Sequence, residues 1–84
     1  MKFEYTITDE VGIHARPAGN LIKHVKNFES KVTITLRDKT VDASSIISLM
    51  TLQAKKDDTI VVEAIGPDEK EAIEDIKAFM EENF

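Results

Sequence analysis

The sequence has 84 residues, 42% of them hydrophobic, and no cysteine, so it has the length of one small domain and excludes disulfides, thiolate catalysis and thiolate metal sites. Its formal charge of −5 argues against a broad basic surface for nucleic acid. Residues 1–7 have neither a basic region nor a long apolar one, and no later segment approaches the length of a membrane span, so we expect a cytoplasmic protein without membrane insertion.

The first predicted elements are a strand and a helix. Apolar and polar side chains alternate over residues 2–8, which is typical of a strand with one buried face. Residues 9–12 end this strand, and from Pro17 onward apolar residues recur at helical spacing. Proline suits the first turn of a helix, because the N–H it lacks has no partner there. The predicted helical stripe consists of Ala18, Leu21, Ile22, Val25 and Phe28.

The middle of the chain predicts a hairpin and a short helix. Residues 32–36 alternate, and Asp38-Lys39 is a plausible tight turn into a second strand at residues 40–43. Ser44 and Ser45 are N-cap residue types in front of an apolar run over residues 46–52. This run has more apolar residues than one buried stripe needs, so we expect some of them to be exposed.

The last two elements are a strand and a helix. β-branched and apolar residues predict a strand at 59–65, which Gly66-Pro67 ends. Asp68 followed by Glu71 is a variant of the capping box, and the helix that follows has an inward stripe. The stripe consists of Ala72, Ile73, Ile76, Phe79 and Met80. The order βαββαβα predicts an α+β open-faced sandwich in which residues 1–84 form a single domain, with three helices on one face of a four-stranded antiparallel sheet.

Two histidines are candidates for chemistry. His24 lies inside the first predicted helix, and we assign it no task. His14 lies between a glycine-containing loop and the helix start, where the free N–H groups of the first turn disfavour imidazolium and can hydrogen-bond a phosphate. Arg16 can reach phosphoryl oxygens with its planar guanidinium. The alternative is that His14 merely caps the helix and Arg16 is a residue of its first turn without a function.

The segment Gly12-Ile13-His14-Ala15-Arg16-Pro17-Ala18 resembles the active-site signature of HPr, the histidine-containing phosphocarrier family of the bacterial phosphoenolpyruvate:sugar phosphotransferase system. The resemblance extends over essentially the whole chain. It implies that His14 accepts a phosphoryl group on Nδ1 from enzyme I and donates it to sugar-specific IIA domains. Arg16 would stabilise the phosphate, and the backbone of Ala15, Pro17 and Ala18 would support it. The expected protein is a stoichiometric carrier rather than an enzyme, a monomer, and free of cofactor and metal.

Residues 45–52 resemble the regulatory region of the same family, and Ser45 aligns with its regulatory serine. The resemblance implies phosphorylation of Ser45 by an HPr kinase/phosphorylase and binding of the product to a catabolite control protein, as in Gram-positive relatives. Ser44 stands where many relatives have lysine, and Ser48 and residues 53–55 depart from the usual glycines. Ordinary N-capping is the alternative for both Ser44 and Ser45.

Apolar and basic residues near His14 indicate a docking surface. For Ile46, Ile47 and Met50 we expect a divided role, partly packed in the core and partly in contact with enzyme I and IIA domains. Arg16, Lys23 and Lys26 form a basic edge suited to an acidic partner surface.

Two other functions stay open on the sequence. One is a regulatory protein-binding module controlled through Ser45 without carrier activity. The other is an independent enzyme or small-ligand domain on a similar fold. The second has little support, because the sequence has no P-loop, dinucleotide-binding fingerprint or HExxH motif.

Overall fold

The structure, a computed structural model, describes all residues 1–84 and contains seven elements in the predicted order. The strands are β1 (Lys2–Thr6), β2 (Lys31–Leu36), β3 (Lys39–Asp42) and β4 (Thr59–Ile65), and the helices are α1 (Ala15–Val25), α2 (Ile46–Thr51) and α3 (Glu69–Asn83). The strands form one sheet in the order β1-β4-β2-β3, and every neighbouring pair is antiparallel. None of the helices combines the length and the apolar character needed to cross a bilayer.

One face of the sheet is buried and the other is open. The alternation along the two central strands produces this division, because successive side chains of a strand point to opposite faces. The buried side chains of these strands are Val32, Ile34, Leu36, Ile60, Val62 and Ala64. Leu21 of α1, Leu49 of α2 and Ile76 of α3 are fully buried in the same core cluster. The predicted α+β open-faced sandwich is confirmed.

The turn between β2 and β3 begins one residue earlier than predicted. Leu36 pairs with Lys39, so the turn residues are Arg37 and Asp38 rather than Asp38 and Lys39. Arg37 takes φ 56°, a region that residues with a side chain seldom enter. The pairing of Ile34 with Val41 explains the register, because a slip of one residue would turn apolar side chains to the open face.

The predicted capping box at the start of α3 does not form. Asp68 precedes the helix, but its side chain makes no capping hydrogen bond. Its carboxylate instead accepts from the backbone N–H groups of Glu29 and Ser30, both at 2.9 Å, and from the Ser30 hydroxyl. These bonds, the one from the Ser30 hydroxyl above all, lower the pKa of Asp68. Asp68 therefore ties the loop before β2 to the start of α3.

His24 links α1 to α3. Its Nδ1 lies 2.7 Å from Oδ2 of Asp75, and its ring centroid lies 4.6 Å from that of Phe79. The sequence predicts no task for His24, whereas the structure gives it a packing role between the two helices.

Candidate functional site

The loop before α1 makes a tight turn that only glycine fits. Gly12 has φ +77°, and a Cβ atom at this position would overlap the backbone oxygen of Ala54. The next residue, Ile13, is buried and donates its backbone N–H to the same Ala54 oxygen at 3.1 Å. The segment that carries His14 is thereby fixed against the segment that follows α2.

Asp9 organises the beginning of this loop. Its Oδ1 accepts from the backbone N–H of Val11 at 2.8 Å. Its backbone oxygen accepts from the N–H of Gly12 at 3.0 Å, and its own N–H donates to the backbone oxygen of Phe84 at 2.8 Å. The second carboxylate oxygen, Oδ2, lies 3.9 Å from Nε2 of His14.

His14 occupies the N-cap position of α1, which begins two residues before the predicted start at Pro17. The first intrahelical bond runs from the N–H of Ala18 to the His14 oxygen at 3.0 Å. The His14 ring makes no capping hydrogen bond, so its side chain does not cap the helix. The N–H groups of Ala15 and Arg16 have no intrahelical acceptor, and Pro17 has no N–H. Two amide donors of the first turn therefore remain without intrahelical acceptors.

A shallow hollow of about 320 Å³ joins His14 to both α1 and α3. It is lined by Asp9, His14, Arg16, Pro17, Asn20, Glu82 and Asn83. Arg16 is its only cationic side chain besides the titratable ring of His14, and it is exposed and forms no ion pair. The guanidinium is thus available to an anion that enters the hollow.

The structure brings His14, Arg16 and Pro17 together as predicted, but it distinguishes the three residues expected to offer backbone support. Ala15 has an N–H without an intrahelical acceptor, whereas the N–H of Ala18 already bonds to His14. Pro17 and Ala18 are buried in the first turn of α1. Pro17 and Ala18 therefore shape the start of the helix and offer no free backbone N–H group to a phosphate.

Sequence reasoning missed Asp9, Glu82 and Asn83. An aspartate shortly before a glycine is typical of a turn, but this signal says nothing about an approach to His14. Glu82 and Asn83 reach the hollow from the end of α3, and no local pattern in the sequence indicates that placement.

The α2 surface, which we define as Ile46, Ile47 and Met50, is apolar and accessible. Ile46, Ile47 and Met50 are 39%, 76% and 37% exposed, whereas Leu49 of the same helix is fully buried. A Cβ atom added at Gly19 of α1 would lie 4.0 Å from Cδ1 of Ile46. The α2 surface therefore borders the helix that begins at His14.

The two serines before α2 have different partners. Ser45 is the N-cap, and its Oγ accepts from the backbone N–H of Ser48 at 3.3 Å. Ser44 donates its N–H and its hydroxyl to Oδ1 of Asp42 at 2.8 and 2.6 Å. The bond from the Ser44 hydroxyl is the main reason why the pKa of Asp42 is lowered. Capping is therefore confirmed for Ser45 only.

Known proteins resemble this chain over nearly its whole length. The family model described as the PTS HPr component phosphorylation site matches residues 1–82. The phosphocarrier protein HPr of Mycoplasma genitalium is 41% identical over 83 residues, which cover 98% of this chain and 94% of the relative.

Solved structures agree with this match. A histidine-containing phosphocarrier protein, whose structure documents the divergence of Mycoplasma from Gram-positive bacteria, has a TM-score of 0.94 at 39% identity, covering 98% of this chain and 93% of its own. The Bacillus subtilis catabolite repression protein Crh, solved as a domain-swapped dimer, has a TM-score of 0.80 at 32% identity. The match covers 93% of this chain and 90% of the Crh chain.

Proposed function

The chain belongs to the HPr family, the phosphocarrier proteins of the phosphotransferase system, and we propose that it accepts a phosphoryl group from phosphorylated enzyme I onto His14 and donates it to sugar-specific IIA domains. The observation that carries this proposal is the start of α1. The His14 ring makes no capping hydrogen bond there, and two amide N–H groups of the first turn have no intrahelical acceptor. The N-terminal end of a helix stabilises an anion such as a bound phosphoryl group.

The proposed transfer uses one ring nitrogen as the nucleophile. The lone pair of Nδ1 forms a bond to phosphorus while the bond to the donor's leaving atom breaks, and that electron pair leaves with the donor. Arg16 offers a planar set of N–H donors to the phosphoryl oxygens. The reverse sequence on a IIA domain returns His14 to its starting state, so residues 1–84 act as one carrier domain that turns over no substrate of its own.

The α2 surface supports docking in this proposal. An exposed apolar helix face near the phosphoryl site would give enzyme I and the IIA domains a common contact surface. We place the reaction in the cytoplasm, since a chain without cysteine fits a reducing compartment.

Intact mass after incubation with enzyme I, Mg²⁺ and phosphoenolpyruvate tests the carrier role. We expect one phosphate, which brief acid treatment removes because phosphohistidine is acid-labile. His14→Ala should accept none, whereas His24→Ala, which removes the other histidine, should accept as much as the parent. A phosphate on His14→Ala, or none on the parent with an active enzyme I, would refute the proposal.

A second function is favoured by the position of Ser45. Ser45 is half-buried, it precedes the α2 surface directly, and its 3.3 Å capping bond is long for a hydrogen bond. We propose that an HPr kinase/phosphorylase phosphorylates Ser45 and that the product binds a catabolite control protein. A phosphate at this place would meet the N-terminal N–H groups of α2 and alter the docking surface without unfolding the domain.

The Ser45 proposal has its own test, which also addresses a purely regulatory module. Incubation with the kinase and ATP should add a phosphate that survives acid, and Ser45→Ala should abolish it while Ser44→Ala should not. A parent that takes only the acid-stable phosphate would favour the regulatory module over the carrier. Retention of the acid-stable phosphate by Ser45→Ala would exclude Ser45 as the site.

A further inference from the structure

Asp9 is the carboxylate closest to the His14 ring. Its Oδ2 lies 3.9 Å from Nε2, and the two side chains are 33% and 37% exposed. The ring has no other ion pair, and neither of its nitrogens takes part in a hydrogen bond within the chain. Nε2 is therefore the nitrogen of the ring that lies nearest to the Asp9 carboxylate.

The carboxylate of Asp9 is held in place by its loop. Oδ1 is occupied by the N–H of Val11 at 2.8 Å, so the carboxylate cannot rotate freely. The backbone of Asp9 is fixed at both ends, through the oxygen of Phe84 and the N–H of Gly12. Oδ2 is the one atom of this carboxylate left to face the ring.

Other charged groups near the ring come from two elements. Arg16 of α1 and Glu82 of α3 line the same hollow as His14 and Asp9. Glu82 forms no ion pair with the ring. Glu82 adds negative charge on the α3 side and Arg16 adds positive charge on the α1 side, whereas Asp9 alone directs an oxygen at a defined nitrogen.

From these contacts we infer that Asp9 is a positioning residue for phosphoryl transfer at His14, holding the ring as the tautomer with hydrogen on Nε2 and leaving the Nδ1 lone pair for phosphorus. The inference rests on the proposed carrier function. A negative oxygen beside Nε2 favours the hydrogen on that nitrogen, and the neutral ring has only one hydrogen to place.

Asp9 also acts on the product of the transfer. When Nδ1 gives its lone pair to phosphorus, and the donor's leaving atom keeps the electrons of the broken bond, the ring still carries hydrogen on Nε2 and becomes cationic. The Asp9 carboxylate then faces a positive N–H group, so it stabilises the phosphorylated ring relative to the free one. For partly exposed groups this effect is expected to be about two- to fivefold in an equilibrium constant.

The test compares Asp9→Asn with Glu10→Gln. Asparagine keeps an oxygen for the N–H of Val11 and removes the charge that faces His14. Glu10→Gln removes one charge from the adjacent, exposed position, which forms no ion pair with the ring. Asp9→Ser is a second neutral variant whose hydroxyl can still accept from Val11. The readouts are the His14 tautomer ratio, from ring ¹⁵N chemical shifts in alkaline solution, and the phosphoryl-transfer equilibrium with enzyme I.

We expect Asp9→Asn and Asp9→Ser to move the tautomer ratio toward hydrogen on Nδ1, and to lower the transfer equilibrium constant, each by about two- to fivefold. Glu10→Gln should match the parent in both. Parental values for both Asp9 variants, or equal changes in Glu10→Gln, would overturn the inference while the parent still accepts phosphate. A parent that accepts no phosphate at all would instead overturn the carrier function on which the inference rests.

Discussion

Two glycines near the site play opposite structural roles. Gly12 has φ +77° and lies against the backbone of Ala54, whereas Gly19 lies inside α1 with only Cδ1 of Ile46 within reach of an added Cβ. The first is required by backbone geometry, and the second is a helix residue with room for a side chain. The shape of the loop before His14 therefore depends on one residue that alanine cannot replace.

We expect Gly12→Ala to lower the free energy of unfolding by at least ~1–2 kcal/mol, the cost of a left-handed residue with a side chain. The overlap with Ala54 adds to this cost and displaces the loop that carries His14. Gly19→Ala is the matched control, and it should raise stability by about 0.5–1 kcal/mol because alanine favours helix. Urea unfolding of the three proteins measures both, and equal effects of the two substitutions would contradict the assigned geometry.

Helices and strands can be predicted from the periodicity of apolar residues in the sequence. Features that depend on residues distant in sequence cannot be predicted in this way. The strand at Thr59–Ile65 has the predicted bounds. Of the predicted helical stripe, Ala18, Leu21 and Val25 are buried in α1, whereas Phe28 lies beyond the last helical residue and is only partly buried. The capping box fails at Asp68 because donors from Glu29 and Ser30, far away in sequence, take its carboxylate.

The same limit applies to the candidate site. His14 and Arg16 lie in one short segment, so the sequence could indicate both. The approach of Asp9 to the ring depends on a loop conformation that Gly12 and Ala54 impose, and Glu82 arrives from another helix. Local patterns contain no information about such contacts.

The lowered pKa of Asp68 predicts an acid dependence of stability. Its folded pKa lies below the ordinary value of 3.8, so the folded state binds this proton less tightly than the unfolded state does. The stabilisation is complete above that value and is lost as the pH falls through it toward the folded pKa. Asp68→Asn should lack this decrease in the free energy of unfolding at acid pH. Its free energy of unfolding at neutral pH should be lower than that of the parent.

The measurement is the free energy of unfolding from urea titrations between about pH 5 and pH 3. Asp38→Asn, at an exposed turn position without a side-chain hydrogen bond, is the control and should follow the parent. If Asp68→Asn keeps the full slope of the parent, the carboxylate does not hold the loop before β2 in solution.

Across the whole molecule, charge is divided unevenly. The net charge is −5, yet Arg16, Lys23 and Lys26 are all exposed on or just beyond α1. The acidic residues concentrate on α3 and its flanks. A partner with an acidic surface would therefore meet the helix that begins at His14 rather than the acidic one.

We expect the rate of phosphoryl transfer from enzyme I to fall with salt, because steering by exposed charges weakens as the screening length shortens to about 10 Å at 0.1 M. The double variant Lys23→Gln and Lys26→Gln should be slower at low salt and less sensitive to salt. Lys70→Gln with Lys77→Gln removes the same charge from α3 and should keep the parental slope. A rate that does not depend on salt would exclude this steering.

That the protein is a monomer in solution stays a prediction. The core cluster lies within one chain, but the related Crh was solved as a domain-swapped dimer. Sedimentation of the free protein measures its mass in solution, and a dimer at the concentrations of the transfer assay would show the monomer prediction to be wrong.

The strand order β1-β4-β2-β3 has a consequence for biosynthesis. The ribosome makes β1 and His14 first, yet β1 pairs only with β4, the Gly12 turn needs Ala54, and Asp9 needs Phe84. Pairing between segments so distant in sequence slows folding relative to local contacts. In a nascent chain, His14 thus leaves the ribosomal tunnel long before the segments that fix its position have been made. The proposed acceptance of phosphate by His14 is therefore expected only after the segments around Ala54 and Phe84 have been made and have folded onto the loop before α1.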